Sequence, residues 1–178
     1  MSANSPMRCV GLPPLARPDA HVLVLGSMPG AASLAAREYY AHPRNAFWPV
    51  MARLFGVEST APYAVRVARL MDARVAVWDV LAACDRSGSL DAAIDVNGLV
   101  VNDFARFLVE HPKINAVFFN GQTAARLFIQ HVFATARQLS LATLPSTSPA
   151  HAARSVAQKM DAWRVIHTAV ADGKDSAA

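Results

Sequence analysis

Apolar and polar positions follow two rhythms along the chain. Short segments rich in apolar residues at 21–25, 75–78, 114–119 and 138–144 predict four buried strands. The first is stopped by Gly26 and Pro29, and the third by Asn120-Gly121. Between them the apolar residues recur at helical spacing. Residues 46–55 place Phe47, Met51, Leu54 and Phe55 on one face, with Pro49 tolerable in the first turn. Further helices are predicted over 62–71 and 122–133, and after Asn102, which can cap a helix carrying Phe104, Phe107 and Leu108. Ser148-Pro149 has the form of an N-cap followed by proline at the first helical position, and predicts a long helix to Ala171. Residues 84–91 are expected to be a polar loop.

Strands alternating with helices predict a three-layer α/β/α fold around a central, mainly parallel four-stranded sheet. Residues 1–20, punctuated by Pro6, Pro13, Pro14 and Pro18, are expected to be a lead-in segment, 21–171 a single domain, and 172–178 a flexible tail. In open parallel sheets ligands bind beyond the carboxyl ends of the strands. Four polar or glycine-bearing stretches fall there: Gly26-Ser27-Met28-Pro29-Gly30, Trp78-Asp79, Asn120-Gly121 and Pro145-Ser146-Thr147-Ser148. Together they locate a site without naming its chemistry.

Composition narrows the choices. The 178 residues are 53% hydrophobic and 17% charged, which excludes a disordered chain. Two cysteines, Cys9 and Cys84, are too few for a disulfide framework, a four-cysteine zinc site or an iron–sulfur cluster. No signal peptide is evident and the apolar runs are too short to span a bilayer, so a cytoplasmic protein is expected. The net charge is +4, and fourteen of the seventeen basic residues are arginine. Arginine grips phosphate through a rigid fork, so such a surface permits a nucleic-acid partner; GC-rich coding would produce the same bias.

Several chemistries lack their residues. The six histidines form no metal-ligand spacing with cysteines or carboxylates. The turn at Ser27 departs from a nucleophile elbow because Pro29 interrupts it. There is no phosphate-loop lysine and no dinucleotide fingerprint. None of Lys113, Lys159 and Lys174 falls on the rim, which argues against an imine. What remains is a rim of backbone amides, aromatics and neutral side chains, densest in 38–48. Asn45 there can donate and accept, suiting a positioned water or a base edge, but it equally suits a helix cap. Ser148 is first a cap, and as part of a helix N-terminus it would also offer amides to a phosphate.

At these residues the chain resembles the uracil-DNA glycosylase superfamily, and within it the hypoxanthine-DNA (deoxyinosine) glycosylase branch. The likeness rests on Gly26-Ser27-Met28-Pro29-Gly30 with Ser33-Leu34, and on Tyr39-Tyr40-Ala41-His42-Pro43-Arg44-Asn45-Ala46-Phe47-Trp48. Later come Trp78-Asp79-Val80-Leu81, the Cys84-x-Arg86-x-Gly88-Ser89-Leu90-Asp91 stretch, and Leu144-Pro145-Ser146-Thr147-Ser148-Pro149-Ala150-His151. The resemblance implies a monofunctional glycosylase that flips a deaminated nucleotide out of DNA and hydrolyses its N-glycosidic bond without a cofactor or metal. It implies Asn45 as the catalytic residue, and Gly26, Ser27, Met28, Pro29, Gly30, Tyr40 and Asn120 as base-binding. Met28 stands where uracil- and thymine-directed relatives carry a water-positioning asparagine, which weighs against strong uracil activity. Contact with DNA is expected from Arg44, Arg86, Ser146, Thr147, Ser148, Pro149, His151 and Arg154. A monomer acting on damaged DNA, with no membrane partner, is the expectation. The alternatives are a uracil, xanthine or G:U/G:T mismatch glycosylase, a non-catalytic DNA-binding domain of the same fold, and a small-molecule α/β enzyme.

Overall fold

The structure, a computed structural model, describes residues 7–136 and 138–175. Strands β2 (Val22–Gly26), β3 (Val75–Asp79), β6 (Ala116–Asn120) and β7 (Ser140–Leu144) form a wholly parallel four-stranded sheet in the order β3-β2-β6-β7. β2 sits at the centre, with Leu25 opposite Trp78 on one side and Phe119 on the other. Its four apolar residues are 0% exposed, as expected of a strand covered on both faces. The predicted strands are therefore present, and β2, β3 and β6 each run one residue further, bringing Gly26, Asp79 and Asn120 to the sheet's carboxyl edge.

Helices cover both faces. On the face shared by Trp78 and Phe119 lie α4 (Phe104–Glu110) and α5 (Gln122–His131), where Trp78 packs on Phe104 and Phe107, and Phe119 on Phe128. The other layer is α2 (Phe47–Phe55), α3 (Tyr63–Asp72) and α6 (Val156–Asp175), where Phe47 meets Trp163 and Trp48 meets Tyr63 edge to face. A short α1 (Ala31–Ala36) follows the first rim loop. No helix among the described residues is long and apolar enough to cross a membrane.

Several local expectations are corrected. The segment expected to be a polar loop over 84–91 begins as strand and becomes a loop only from residue 87: β4 (Leu81–Arg86) pairs antiparallel with β1 (Met7–Val10) and β5 (Ile94–Val101) in a second sheet. Residues 7–20 are consequently not a mere lead-in. β1 sits on β4 with Cys9 opposite Cys84, and Leu15 bridges Val77 at the edge of β3. Residues 1–6 and 176–178 lie outside the described residues, while Asp172 to Asp175 continue α6.

Two caps also differ. Asp103, not Asn102, accepts the Arg106 amide at the start of α4; Asn102 instead donates its side chain to the Asp79 carbonyl. The long helix does not open at Ser148-Pro149. It begins at Val156, where Ser155 and Gln158 exchange side-chain and backbone hydrogen bonds as a capping box, which satisfies two helix-end donors reciprocally. Residues 148–155 are a surface loop.

Candidate active site

A cavity of about 940 Å³ opens at the carboxyl edge of the parallel sheet. Its floor is the loop Gly26 to Gly30 that follows β2, and Ser27 and Met28 there are each 6% exposed. The fold pins this loop from below. The amides of Val80 and Leu81 donate to the carbonyls of Gly26 and Ser27, the Ser27 hydroxyl donates to Asp91, and Arg86 Nη2 donates to the Pro29 carbonyl at 2.7 Å. Arg86 is 1% exposed, so the expectation that it meets DNA is corrected: its guanidinium lies beneath the loop it braces.

Asp79, the last residue of β3, comes up beside Gly26. A Cβ on Gly26 would run into the Asp79 carboxyl and would stand 3.5 Å from the Tyr40 hydroxyl, so only glycine lets these groups converge. Asp79 is 3% exposed, and its Oδ2 has no hydrogen-bond partner. Burial pushes its pKa up to about 8; nearby Asp91 adds to the rise and Arg86 opposes it. At neutral pH this carboxyl is therefore mostly protonated, a donor and an acceptor at once. The sequence puts Asp79 on the rim without giving it a role, because its burial depends on neighbours such as Gly26 and Tyr40 that are remote along the chain.

Tyr40 adopts a left-handed backbone (φ 57°), unusual for a bulky residue, and stacks on Phe47 with ring centroids 3.9 Å apart. One ring face is thus packed while the side chain still lines the cavity. Its hydroxyl is buried without a full hydrogen bond, and its pKa is raised, first by burial and then by Asp79, with the Asn120 side chain acting in the opposite direction. Tyr39 is an anchor instead: its hydroxyl donates to the backbone of residues 12–13, and its carbonyl receives Trp48 Nε1.

Asn45 lies at the foot of α2 and lines the cavity. Its Oδ1 accepts the Phe47 amide at 2.9 Å in an Asx turn, one residue ahead of the N-cap position, which Ala46 occupies without a side-chain cap. Its Nδ2 and one oxygen lone pair remain for a second task. The expected helix cap is thus corrected to a local turn, which leaves the functional reading of this residue open to it.

Asn120 ends β6 and clips the next loop. Its Nδ2 donates to the Thr147 hydroxyl and its Oδ1 accepts the Thr147 amide, both at 2.8 Å. Gly121 makes the approach possible with φ 101°, and a Cβ there would stand 3.0 Å from Ser146 Cβ. Thr147 is 1% exposed, so its expected place on the DNA surface is corrected to an internal anchor whose carbonyl also holds the Ala46 amide. Ser146, Ser148, Pro149 and His151 line the cavity mouth. Ser148 accepts the Ala150 amide in a turn rather than at a helix N-terminus, and its expected phosphate-binding dipole is absent. The His151 carbonyl receives Lys159 Nζ at 2.9 Å; Lys159 is 5% exposed, so it supports the loop from within.

Of the arginines expected on DNA, Arg44 is exposed and lines the cavity, whereas Arg154 is exposed in the 148–155 loop outside it. Arg126, on α5 just beyond Asn120, is an exposed lining residue that sequence reasoning missed. Its spacing of six residues from Asn120 was the available signal. Among the described residues no three His, Cys, Asp or Glu side chains are grouped to hold a metal ion.

Comparison with known proteins agrees with this architecture. The profile of the uracil DNA glycosylase superfamily matches residues 13–167. A hypoxanthine DNA glycosylase of Methanosarcina barkeri is 32% identical over 117 residues, 65% of this chain and 73% of that protein. Its namesake in Methanosarcina acetivorans is 31% identical over 64% of this chain and 72% of its own length. A solution NMR structure from Methanosarcina acetivorans, described as a candidate uracil DNA glycosylase, superposes with a TM-score of 0.79 at 26% identity, covering 93% of this chain and 99% of that one. With the superfamily profile spanning residues 13–167, the chain belongs to the uracil DNA glycosylase superfamily.

Proposed function

We propose that the protein is a monofunctional DNA glycosylase that removes hypoxanthine from deoxyinosine. The observation that carries this reading is the convergence of the floor loop, Asp79, Tyr40, Asn45 and Asn120 on one cavity at the sheet's carboxyl edge. The likeness to the two hypoxanthine DNA glycosylases supports the choice of base.

In this mechanism the target nucleotide leaves the duplex and its base enters the cavity, stacking on the open face of Tyr40. Hypoxanthine presents an N1–H donor and an O6 acceptor side by side. The neutral Asp79 carboxyl complements that edge, and amides of the Gly26 to Gly30 loop stabilise charge gathering on the leaving base. Each well-placed donor of this kind is worth about 2.7–4 kcal/mol in a transition state. Asn45 orients a water toward the anomeric carbon. The bond from that carbon to the base breaks, the base departs with the bonding pair, the water oxygen takes its place on the sugar, and the proton the water gives up neutralises the departed base. Arg44, Arg126 and Arg154 meet phosphates around the mouth. The reaction draws on one chain, water and DNA, so a monomer acting in the cytoplasm without a cofactor is part of the proposal.

The test is a panel of duplex and single-stranded oligonucleotides, each with one deoxyinosine, deoxyuridine or deoxyxanthosine, scored for alkali-sensitive abasic sites. Deoxyinosine-selective cleavage is the expected result. Preference for deoxyuridine would reassign the base. Binding with steep salt dependence and no cleavage anywhere would replace the enzyme with a DNA-binding domain.

A further inference from the structure

A guanidinium keeps its charge inside a folded protein, and burying one without a partner is costly. Arg86 is 1% exposed, yet only its Nη2 is hydrogen-bonded, to the Pro29 carbonyl. Its Nε and Nη1 are buried with no hydrogen-bond partner. Among the described residues it takes part in no ion pair. The two carboxyls around the floor do not cancel its charge. Asp79 is kept mostly neutral at neutral pH by its burial, and Asp91 lines the cavity and accepts the Ser27 hydroxyl.

Holding one carbonyl in place needs no charge, because a neutral amide side chain would donate to it as well. An unpaired cation in this position is explained when negative charge forms close by. That happens as the N-glycosidic bond breaks and the bonding pair leaves with the base. The path between the two is short. The Pro29 carbonyl belongs to the peptide whose N–H is that of Gly30, so a charged donor on the oxygen polarises the peptide and strengthens the amide as a donor. Gly30 lines the cavity, and among the described residues no hydrogen bond takes up its amide.

We propose that Arg86 is a positioning residue for the leaving group: its buried charge, relayed through the Pro29–Gly30 peptide, stabilises the negative charge that gathers on the departing base. The proposal rests on the glycosylase reading. No bond to Arg86 forms or breaks, and its protons stay where they are. The cation acts from beneath the floor loop, in a dry interior where its field is weakly screened.

The experiment compares single-turnover release of hypoxanthine and of 2-fluorohypoxanthine from otherwise identical duplexes. The fluorine withdraws electrons from the departing base with little change of shape, so that base depends less on help from the protein. Arg86→Gln, which can still donate to the Pro29 carbonyl, is expected to slow hypoxanthine release by at least about tenfold, equivalent to about 1.4 kcal/mol. Its slowing of 2-fluorohypoxanthine release is expected to be about three times smaller or less. The midpoint of its urea denaturation is expected to equal or exceed that of the parent protein, since a buried unpaired charge has been removed. Arg86→Lys, which keeps both charge and donor, is expected to keep most of the rate. Equal slowing of both bases, an unchanged rate, a denaturation midpoint that falls along with the rate, or an Arg86→Lys variant as slow as Arg86→Gln overturns the proposal while leaving the glycosylase reading intact. A parent protein that releases neither base overturns that reading and the role of Arg86 with it.

Discussion

The floor loop after β2 and the mouth loop after β7 border the same cavity but are built in opposite ways. The floor is buried and held by the backbone amides of Val80 and Leu81, by Asp91 and by a buried arginine. The mouth is largely exposed and hangs from three long-reaching side chains: Asn120 on Thr147, Lys159 on the His151 carbonyl, and Trp163 Nε1 on the Pro145 carbonyl at 2.9 Å. A base whose leaving charge must be stabilised needs donors held within a fraction of an ångström, whereas a phosphate backbone tolerates adjustment. The contrast assigns chemistry to the floor and DNA contact to the mouth.

Crowding the floor breaks this arrangement most severely. Gly26→Ala drives a methyl group into the buried Asp79 carboxyl, which must be displaced from its place beside the floor loop. The expected cost is about 1–3 kcal/mol of stability, with base release lost beyond that share. Chemical denaturation beside single-turnover kinetics separates the two effects.

Releasing the mouth comes next. Asn120→Ala leaves the buried Thr147 amide without its acceptor, at a cost of about 1–3 kcal/mol. Faster amide hydrogen exchange at Thr147 and Ala46, with the β2 and β3 amides unchanged, would show that the clip serves the mouth alone.

A titration sharpens the comparison on the floor side. Asp79 is neutral below about pH 8, so base release is expected to fall as pH rises through that value and the carboxylate repels O6. Stability follows the same sign. The folded pKa lies above the unfolded value of about 3.9, so the native state binds the extra proton between the two and loses that advantage as pH rises through about 8. Asp79→Asn keeps a neutral donor and acceptor, and is expected to remain active and to flatten both profiles. Inactivity of this variant at every pH would mean that the charged form is the working one.

The smallest effects belong to the rim. Arg44→Ala and Arg126→Ala are each expected to reduce the salt dependence of DNA binding by about one phosphate contact, leaving the rate of base release from bound DNA unchanged. Binding isotherms across salt concentrations check this.

The parallel sheet was legible because β2, β3 and β6 are buried on both faces and so read as continuous apolar runs. The small antiparallel sheet was not. β5 carries Asp95, Asn97 and Gly98 among exposed valines and has no clean alternation, and β1 is only four residues long. The start of α6 was misplaced because Ser148-Pro149 satisfies the local rule for a helix opening, and the competing Ser155–Gln158 capping box lies only a few residues on. The floor loop, Tyr40 and Asn45 were visible as a dense motif. Asp79 and Arg86 were not assignable to pocket and brace, since burial is decided by contacts distant in sequence.

The most direct measurement is made on Asn45→Ala, with the single-turnover rate of hypoxanthine release and the affinity for the same deoxyinosine duplex determined side by side. The account predicts a rate lowered by about a hundredfold or more with affinity close to that of the parent protein. Equal loss of rate and affinity, or an unchanged rate, would contradict it.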